Sequence, residues 1–321
     1  LGETNYAIIA STVDQHFRYG HLVEGNPSEM TATIESAQKI LDRALHQFPK
    51  NSRFWEQAAG VASLRGAEAR RNNDAEEECG HLAQAVELLT TSVRTYPGKN
   101  PLVSRTLADL YLAHARALHR AARPVQCVDA VRNALSVPEL PWLQKWSCLP
   151  VLAESVAALQ HQTSESTDTQ MTIQTGLELG REILAGANQS ADKPPVAAAV
   201  VWFLCNTEIE AWRDPSAAEN LAQSVLAKEN AVADRVSLLV GLAAAHYRCG
   251  EYADCLQTYE QLAKEPLVLS TRASLMKAMC FHQVGDKEQA QESLRIGLSQ
   301  LGTTPSPDDK RLADEAAELI R

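Results

Sequence analysis

The sequence predicts an all-α solenoid of about seven helix hairpins followed by a single C-terminal helix, and three observations carry that prediction. First, the stretch Arg235 to Pro266 holds two amphipathic segments around one glycine: Leu239, Leu242, Ala243 and His246 fall at i, i+3, i+4 and i+7 before Gly250, and Tyr252, Cys255, Tyr259 and Leu262 recur at three or four after it. A hairpin of this length cannot bury both stripes alone, so it calls for neighbours of its own kind. Second, the composition is 45% apolar but only 5% aromatic, which suits closely packed Ala- and Leu-rich helices. Third, glycines and prolines fall mostly between the periodic segments, and runs of alternating β-branched residues are absent, which leaves almost no sheet.

Taken in order, the second helix of each hairpin shows a small residue, an apolar or small one four later, another three after that and, in four cases, a proline beyond. The sets are Ala37, Leu41, Ala44 and Pro49; Ala85, Leu89, Ser92 and Pro97; Cys127, Val131, Ala134 and Pro138; Gly176, Gly180 and Ile183; Ala218, Ala222 and Val225; Cys255, Tyr259, Leu262 and Pro266; and Ala290, Leu294 and Gly297. The third position advances by 48, 42, 49, 42, 37 and 35 residues. The long first steps predict lengthened helices or a loop around Ala67 to Gly80, and a similar insertion around His21 to Ala32. The four prolines end helices by removing an amide donor and restricting the residue before them. Asp214-Pro215 reads as a cap and first helical residue, and Asp74, Glu76, Glu77 and Glu78 place negative charge before a helix over Cys79 to Tyr96. His161 to Gln170 is the most polar stretch and the expected flexible point of an array over 1–306. Residues 307–321 form one amphipathic helix with Leu312, Ala316 and Ile320 inward, a polar cap for the last repeat.

This pattern, with Trp55 eleven residues before Gly66 and with Gly250 and Gly285 between paired helices, resembles the tetratricopeptide (TPR) repeat, whose ideal period is about 34. The resemblance implies a right-handed TPR-like solenoid that binds protein. The last hundred residues, through RDPSAAENLAQSVL, GLAAAHYRCGEY, LMKAMCFHQVGDKEQAQ and DDKRLADEAAELI, are similar to the C-terminal TPR region of planctomycete-type bacterial serine/threonine protein kinases; ILDRALHQFP and LLTTSVRTYP upstream are similar to repeats of the same proteins, less specifically. That likeness implies a partner- or substrate-recruiting region N-terminally preceded by a kinase domain, often with a membrane span between. The chain itself has no Gly-rich kinase loop, HRD or DFG. It begins at Leu1, which is expected of a piece of a longer protein. A stand-alone scaffold or assembly factor with no kinase, and an all-α enzyme with a site between repeats, are the alternatives.

A net charge of −10 and a pI near 5.4 argue against nucleic acid, where lysines and arginines must neutralise phosphates. The longest apolar run, Val196 to Cys205, is short of a membrane span. The expected location is therefore cytoplasmic, or extracytoplasmic if the parent is a membrane-spanning kinase. Seven cysteines, odd in number and without a CxxC pair, read as buried thiols in a reducing compartment, Cys249 and Cys255 being the one pair close enough in sequence to test for bonding. No phosphate-loop, dinucleotide, HExxH, GxSxG or paired-cysteine motif occurs, and the pairs His114/His119 and His16/His21 are five apart, off one helical face. No cofactor, metal or catalytic residue is expected.

Three surfaces are candidates for binding. Arg116, Arg120 and Arg123 form a basic stripe that could take an acidic peptide or phosphate, or else pair with nearby acids on a solvated face. Trp142, Trp146, Trp202, Phe203 and Trp212 are either buried wedges between first helices or peptide anchors, a choice that exposure decides. On the first helices of the last two repeats, the inward positions are Ser237, Val240, Ala244, Tyr247 and Arg248, then Arg272, Leu275, Met279, His282 and Gln283. This is not the Lys/Asn/Arg set with which some TPR modules grip a C-terminal carboxylate. Tyr247, Arg248, Arg272, Met279 and His282 are the expected groove for a mixed apolar and polar protein segment.

Overall fold

A computed structural model describes residues 27–95, 101–138, 140–162, 166–190, 194–228, 232–265 and 270–321. These form fourteen α-helices and one short 3-10 turn, with no strand among the described residues. The all-α prediction holds. The chain divides into two compact units, Leu1–Ile183 and Leu184–Arg321.

In the first unit, α1 (Pro27–Gln47) packs on α2 (Ser52–Arg71), which pairs with α3 (Ala75–Thr95); α4 (Pro101–Arg120) pairs with α5 (Pro124–Leu135), and α6 (Trp142–His161) follows against both. The helix α7 (Thr167–Ser190) meets α6 at Gly176 and carries the boundary between units. In the second unit, α8 (Pro194–Asn206) pairs with α9 (Pro215–Leu226), α10 (Val232–Cys249) with α11 (Tyr252–Leu262), and α12 (Thr271–Gln283) with α13 (Lys287–Gln300). The last helix, α14 (Pro307–Ile320), lies against α12 and α13.

The sequence stripe of each second helix is its buried side. Ala37, Leu41 and Ala44, then Ala85, Leu89 and Ser92, then Cys127, Val131 and Ala134 are all at most 3% exposed, and the corresponding residues of α7, α9 and α11 are buried as well. Small residues here let the paired helices approach, which is why the pattern is a spacing of sizes rather than of hydrophobicity alone. The two turn glycines are also as expected: Gly250 and Gly285 have φ of +83° and +86°, a region that only glycine enters without steric cost. Asp214 caps α9 by accepting from the Ala217 amide at 2.9 Å, with Pro215 in the first turn.

Some boundaries choose between the alternatives of the sequence reading and others differ from it. The extra residues after Gly66 lengthen both helices, the first of the two alternatives: α2 continues to Arg71, and α3 opens at Ala75 with Glu76, Glu77 and Glu78 in its first turn, four residues before Cys79. Gly66 is mid-helix, where an added Cβ would stand 3.1 Å from Leu82 Cγ, so its smallness serves packing and the turn falls instead at Asn73, with φ of +58°. Within the polar stretch, α6 runs to His161 and α7 begins at Thr167, because Ser166 accepts from the Thr169 amide at 3.1 Å and starts the helix early. Pro49 and Pro138 follow helix ends; Pro97, Pro266, the insertion before Pro27, and His16 and His21 lie outside the described residues.

The cysteines also depart from expectation. Cys255 on α11 and Cys280 on α12 form a disulfide, while Cys79, Cys127, Cys148 and Cys205 are buried free thiols and Cys249 is a half-exposed one. The bonded pair is 25 apart in sequence, and only the packing of two consecutive hairpins makes the two buried stripes face each other. Burial pushes Cys127 up to about 11 and Cys148 and Cys205 up to about 12, so these thiols stay protonated and unreactive at neutral pH. Alkylating the unfolded, unreduced chain is expected to add five labels, rising to seven after reduction; seven labels before reduction would exclude the bridge. On a chain-entropy basis, closing such a loop stabilises by about 3 kcal/mol.

Candidate protein-binding face

The candidate groove residues come together in the second unit, around the last turn of α10 and the length of α12. Tyr247 is half-buried with its ring 5.7 Å from that of Tyr252, and the Arg248 guanidinium lies 5.5 Å from the Tyr247 ring centre. Arg248 donates to Glu315 Oε1 and Oε2 at 2.6 and 2.8 Å and to Asn206 Oδ1 at 3.2 Å. Burial works against its charge, but the Glu315 carboxylate more than offsets this and raises its pKa. At the other end of the face, Arg272 donates to Asp309 Oδ1 at 2.5 Å and stands 4.9 Å over the Trp202 ring of α8. Although its partial burial favours the neutral acid, hydrogen bonds from Arg272 and the Ser306 hydroxyl hold the Asp309 carboxyl below its ordinary range.

Both carboxylates belong to α14. The last helix is therefore more than a cap on one hairpin: Arg311 also donates to Glu208 Oε1 and to the Asn206 carbonyl, each at 2.6 Å, so α14 is tied to residues from α8, α10 and α12. Leu312, Ala313 and Ala316 form its buried stripe, at most 5% exposed, with Ile320 half-buried beyond. Of the other groove candidates, His282 is half-buried in the last turn of α12, and Met279 is fully buried, contributing packing and no surface. Neighbouring helices close over Met279, so it packs between helices and does not line the candidate groove as the sequence reading had it.

The basic stripe is not one helical face. Arg116 and Arg120 lie on α4, whereas Arg123 is past the helix end, beyond Ala122 with its φ of +55°. Arg120 makes a forked contact with the buried Glu78 carboxylate, at 2.6 and 3.2 Å, and Arg123 reaches Glu76 at 3.2 Å. Two of the three arginines thus pair with the acidic first turn of α3, as the solvated-face alternative has it, and Arg116 is exposed. Next to them, Cys79, Tyr111, His114, Arg123, Gln126 and Asn133 line an open cleft of about 560 Å³. Burial, followed by the nearby Arg123 charge, lowers the His114 pKa and keeps its ring neutral.

Of the tryptophans read as wedges or anchors, Trp212 alone is buried, and Trp142, Trp146 and Trp202 are half-buried. Trp142 and Trp146 stack with ring centres 5.6 Å apart, Trp212 is 2% exposed against Phe203, and Trp202 is half-buried beneath Arg272. One further cluster was not visible in the sequence, because its members sit on α9, on α10 and in the turn before α11. The ligand atoms of Glu219, His246 and Glu251 lie within 4.8 Å of one another. The buried His246 ring has its Nδ1 3.0 Å from Glu251 Oε2, a hydrogen bond that accounts for its burial.

No family model matches the sequence, and no curated protein matches it. Among solved structures, a tetratricopeptide repeat protein from Parabacteroides merdae is similar over 96% of this chain and 99% of its own, at 10% identity and a TM-score of 0.42. The pilF protein of Pseudomonas aeruginosa is similar over 82% and 98%, at 16% identity and a TM-score of 0.41. The TPR2AB domain of yeast Sti1, solved as a complex with pHSP90, is similar over 82% and 96%, at 13% identity and a TM-score of 0.30. The TPR-like character of the chain rests on its own successive hairpins and on the small-residue stripes that join them. No helix among the described residues is long and apolar enough to cross a membrane.

Proposed function

We propose that this chain is a non-catalytic protein-interaction scaffold whose partner-contacting face, in the second unit, is the one formed by α8, α10 and α12. The observation that carries the proposal is that this face already receives a helix: Arg248, Arg272 and the end of α8 together hold α14 through charged contacts at both ends and an apolar stripe between them. A surface that seats one amphipathic helix has the shape and chemistry to seat a protein segment. The likeness of the last third to kinase-associated repeats supports a finer reading, in which the scaffold recruits substrates or regulators to a bacterial serine/threonine protein kinase.

Site-specific photo-crosslinking tests the face. A photo-reactive phenylalanine at position 247 or 282 is expected to capture partner proteins at least tenfold more efficiently than one at position 260, exposed on the opposite helix α11. Equal capture at all three positions would remove the assignment. The gene upstream of Leu1 tests the kinase association separately: a kinase domain supports it, and a start codon without one leaves a stand-alone scaffold.

A further inference from the structure

The last helix, α14, is held by a small apolar stripe, with one leucine and two alanines fully buried, and by ionic contacts around it. Its carboxylates Asp309 and Glu315 meet Arg272 and Arg248, and its Arg311 meets Glu208, so the charge pattern of the face is complementary to this helix. These ion pairs are partly solvated, and each is worth little by itself. The connection from α13, residues 301–306, is short, includes Gly302 and Pro305, and is exposed from Gly302 onward. Beneath the contact, the Trp202 indole Nε1 is buried without a hydrogen-bond partner.

We propose that α14 is a displaceable internal ligand, and that the Trp202, Arg248 and Arg272 face accepts from a partner an acidic amphipathic helix that replaces it. This rests on the protein-binding reading above and names the partner chemistry: a helix with a small apolar stripe, a carboxylate at its first turn to meet Arg272, and another six residues on to meet Arg248. A tether of a few residues gives α14 an effective concentration on the order of millimolar. A partner therefore binds the closed chain weakly and the opened chain strongly, which makes α14 a threshold on recruitment rather than a permanent cap.

The test uses the full chain and a fluorescein-labelled synthetic peptide of residues 306–321, with a scrambled peptide as control. Asp309→Lys together with Glu315→Lys sets like charges against Arg272 and Arg248 and opens α14, read as accelerated hydrogen exchange confined to residues 307–320. The opened chain is expected to bind the peptide at least tenfold more tightly than the unaltered chain, and adding Arg248→Glu and Arg272→Glu is expected to abolish that gain. The proposal is overturned if the α14 amides stay protected in the charge-reversed chain. It is equally overturned if they exchange freely while the peptide binds no better, or no better than its scrambled form. Conversion of the opened chain to a dimer in place of peptide binding would also overturn it, in favour of α14 exchange between copies. Crosslinking at position 247 is read independently, so a chain that captures partners there yet rejects the peptide loses this inference and keeps the scaffold function.

Discussion

Phe54→Ala is expected to lower the stability of the chain by about 3–5 kcal/mol, the cost of removing a large, fully buried ring from a core that cannot collapse around the gap. Phe54 is 0% exposed and packs among Ile34, Ala37, Leu41, Ala44, Ala58 and Val61, with the Phe48 ring centre 6.0 Å away. It is the wedge that joins α1 to α2. With aromatics only 5% of the chain, few neighbours are bulky enough to refill its volume. The urea midpoint followed by circular dichroism should fall well below that of the unaltered chain, and Phe54→Leu should recover most of the loss. A midpoint unchanged by the alanine would mean that the α1–α2 contact is not made.

The second large effect has the opposite sign of size change. Gly176→Ala is expected to destabilise by about 1–3 kcal/mol through overpacking, although alanine would by helix propensity alone favour the folded state by about 1 kcal/mol. An added Cβ would stand 2.4 Å from Val156 Cγ2, with Leu152 and Val128 methyls at 3.8 Å. Val156 is 0% exposed, and in a helix its β-branched side chain has essentially one rotamer, so it cannot swing away. The discriminating measurement is a double-mutant cycle with Val156→Ala, which removes the obstructing methyls at a cost on the order of 2 kcal/mol. The pair should be less destabilised than the sum of the singles by about 1 kcal/mol or more. Strict additivity would show that the close approach of α6 and α7 at Gly176 is not what excludes a side chain.

How much was legible follows from the range over which each property is decided. The stripes Ala37-Leu41-Ala44 and Cys255-Tyr259-Leu262 could be read because helical periodicity is local and the small positions repeat. The Gly250 and Gly285 turns and the Asp214 cap could be read for the same reason: each is settled within a few residues. The role of Gly66 could not be read, because a glycine for close packing and a glycine for a turn look alike in sequence, and the neighbour that distinguishes them, Leu82, belongs to the next helix. The Cys255–Cys280 bridge and the Glu219, His246 and Glu251 cluster escaped because their members face one another only after separate helices pack. The residues of the proposed face fell between these cases. Tyr247, Arg248 and Arg272 were found by their inward register, but the helix that pairs with both arginines was taken for an end cap.

The sequence by itself determined that this protein is all-α and which side of most of the second helices is buried, because a stripe of small and apolar residues at helical spacing leaves a segment one way to hide it. Only the tertiary structure decided what lies on the face of α8, α10 and α12. Arg248 meets Glu315 across 67 residues and Arg311 meets Glu208 across 103, and separations of that kind leave no local periodicity to read.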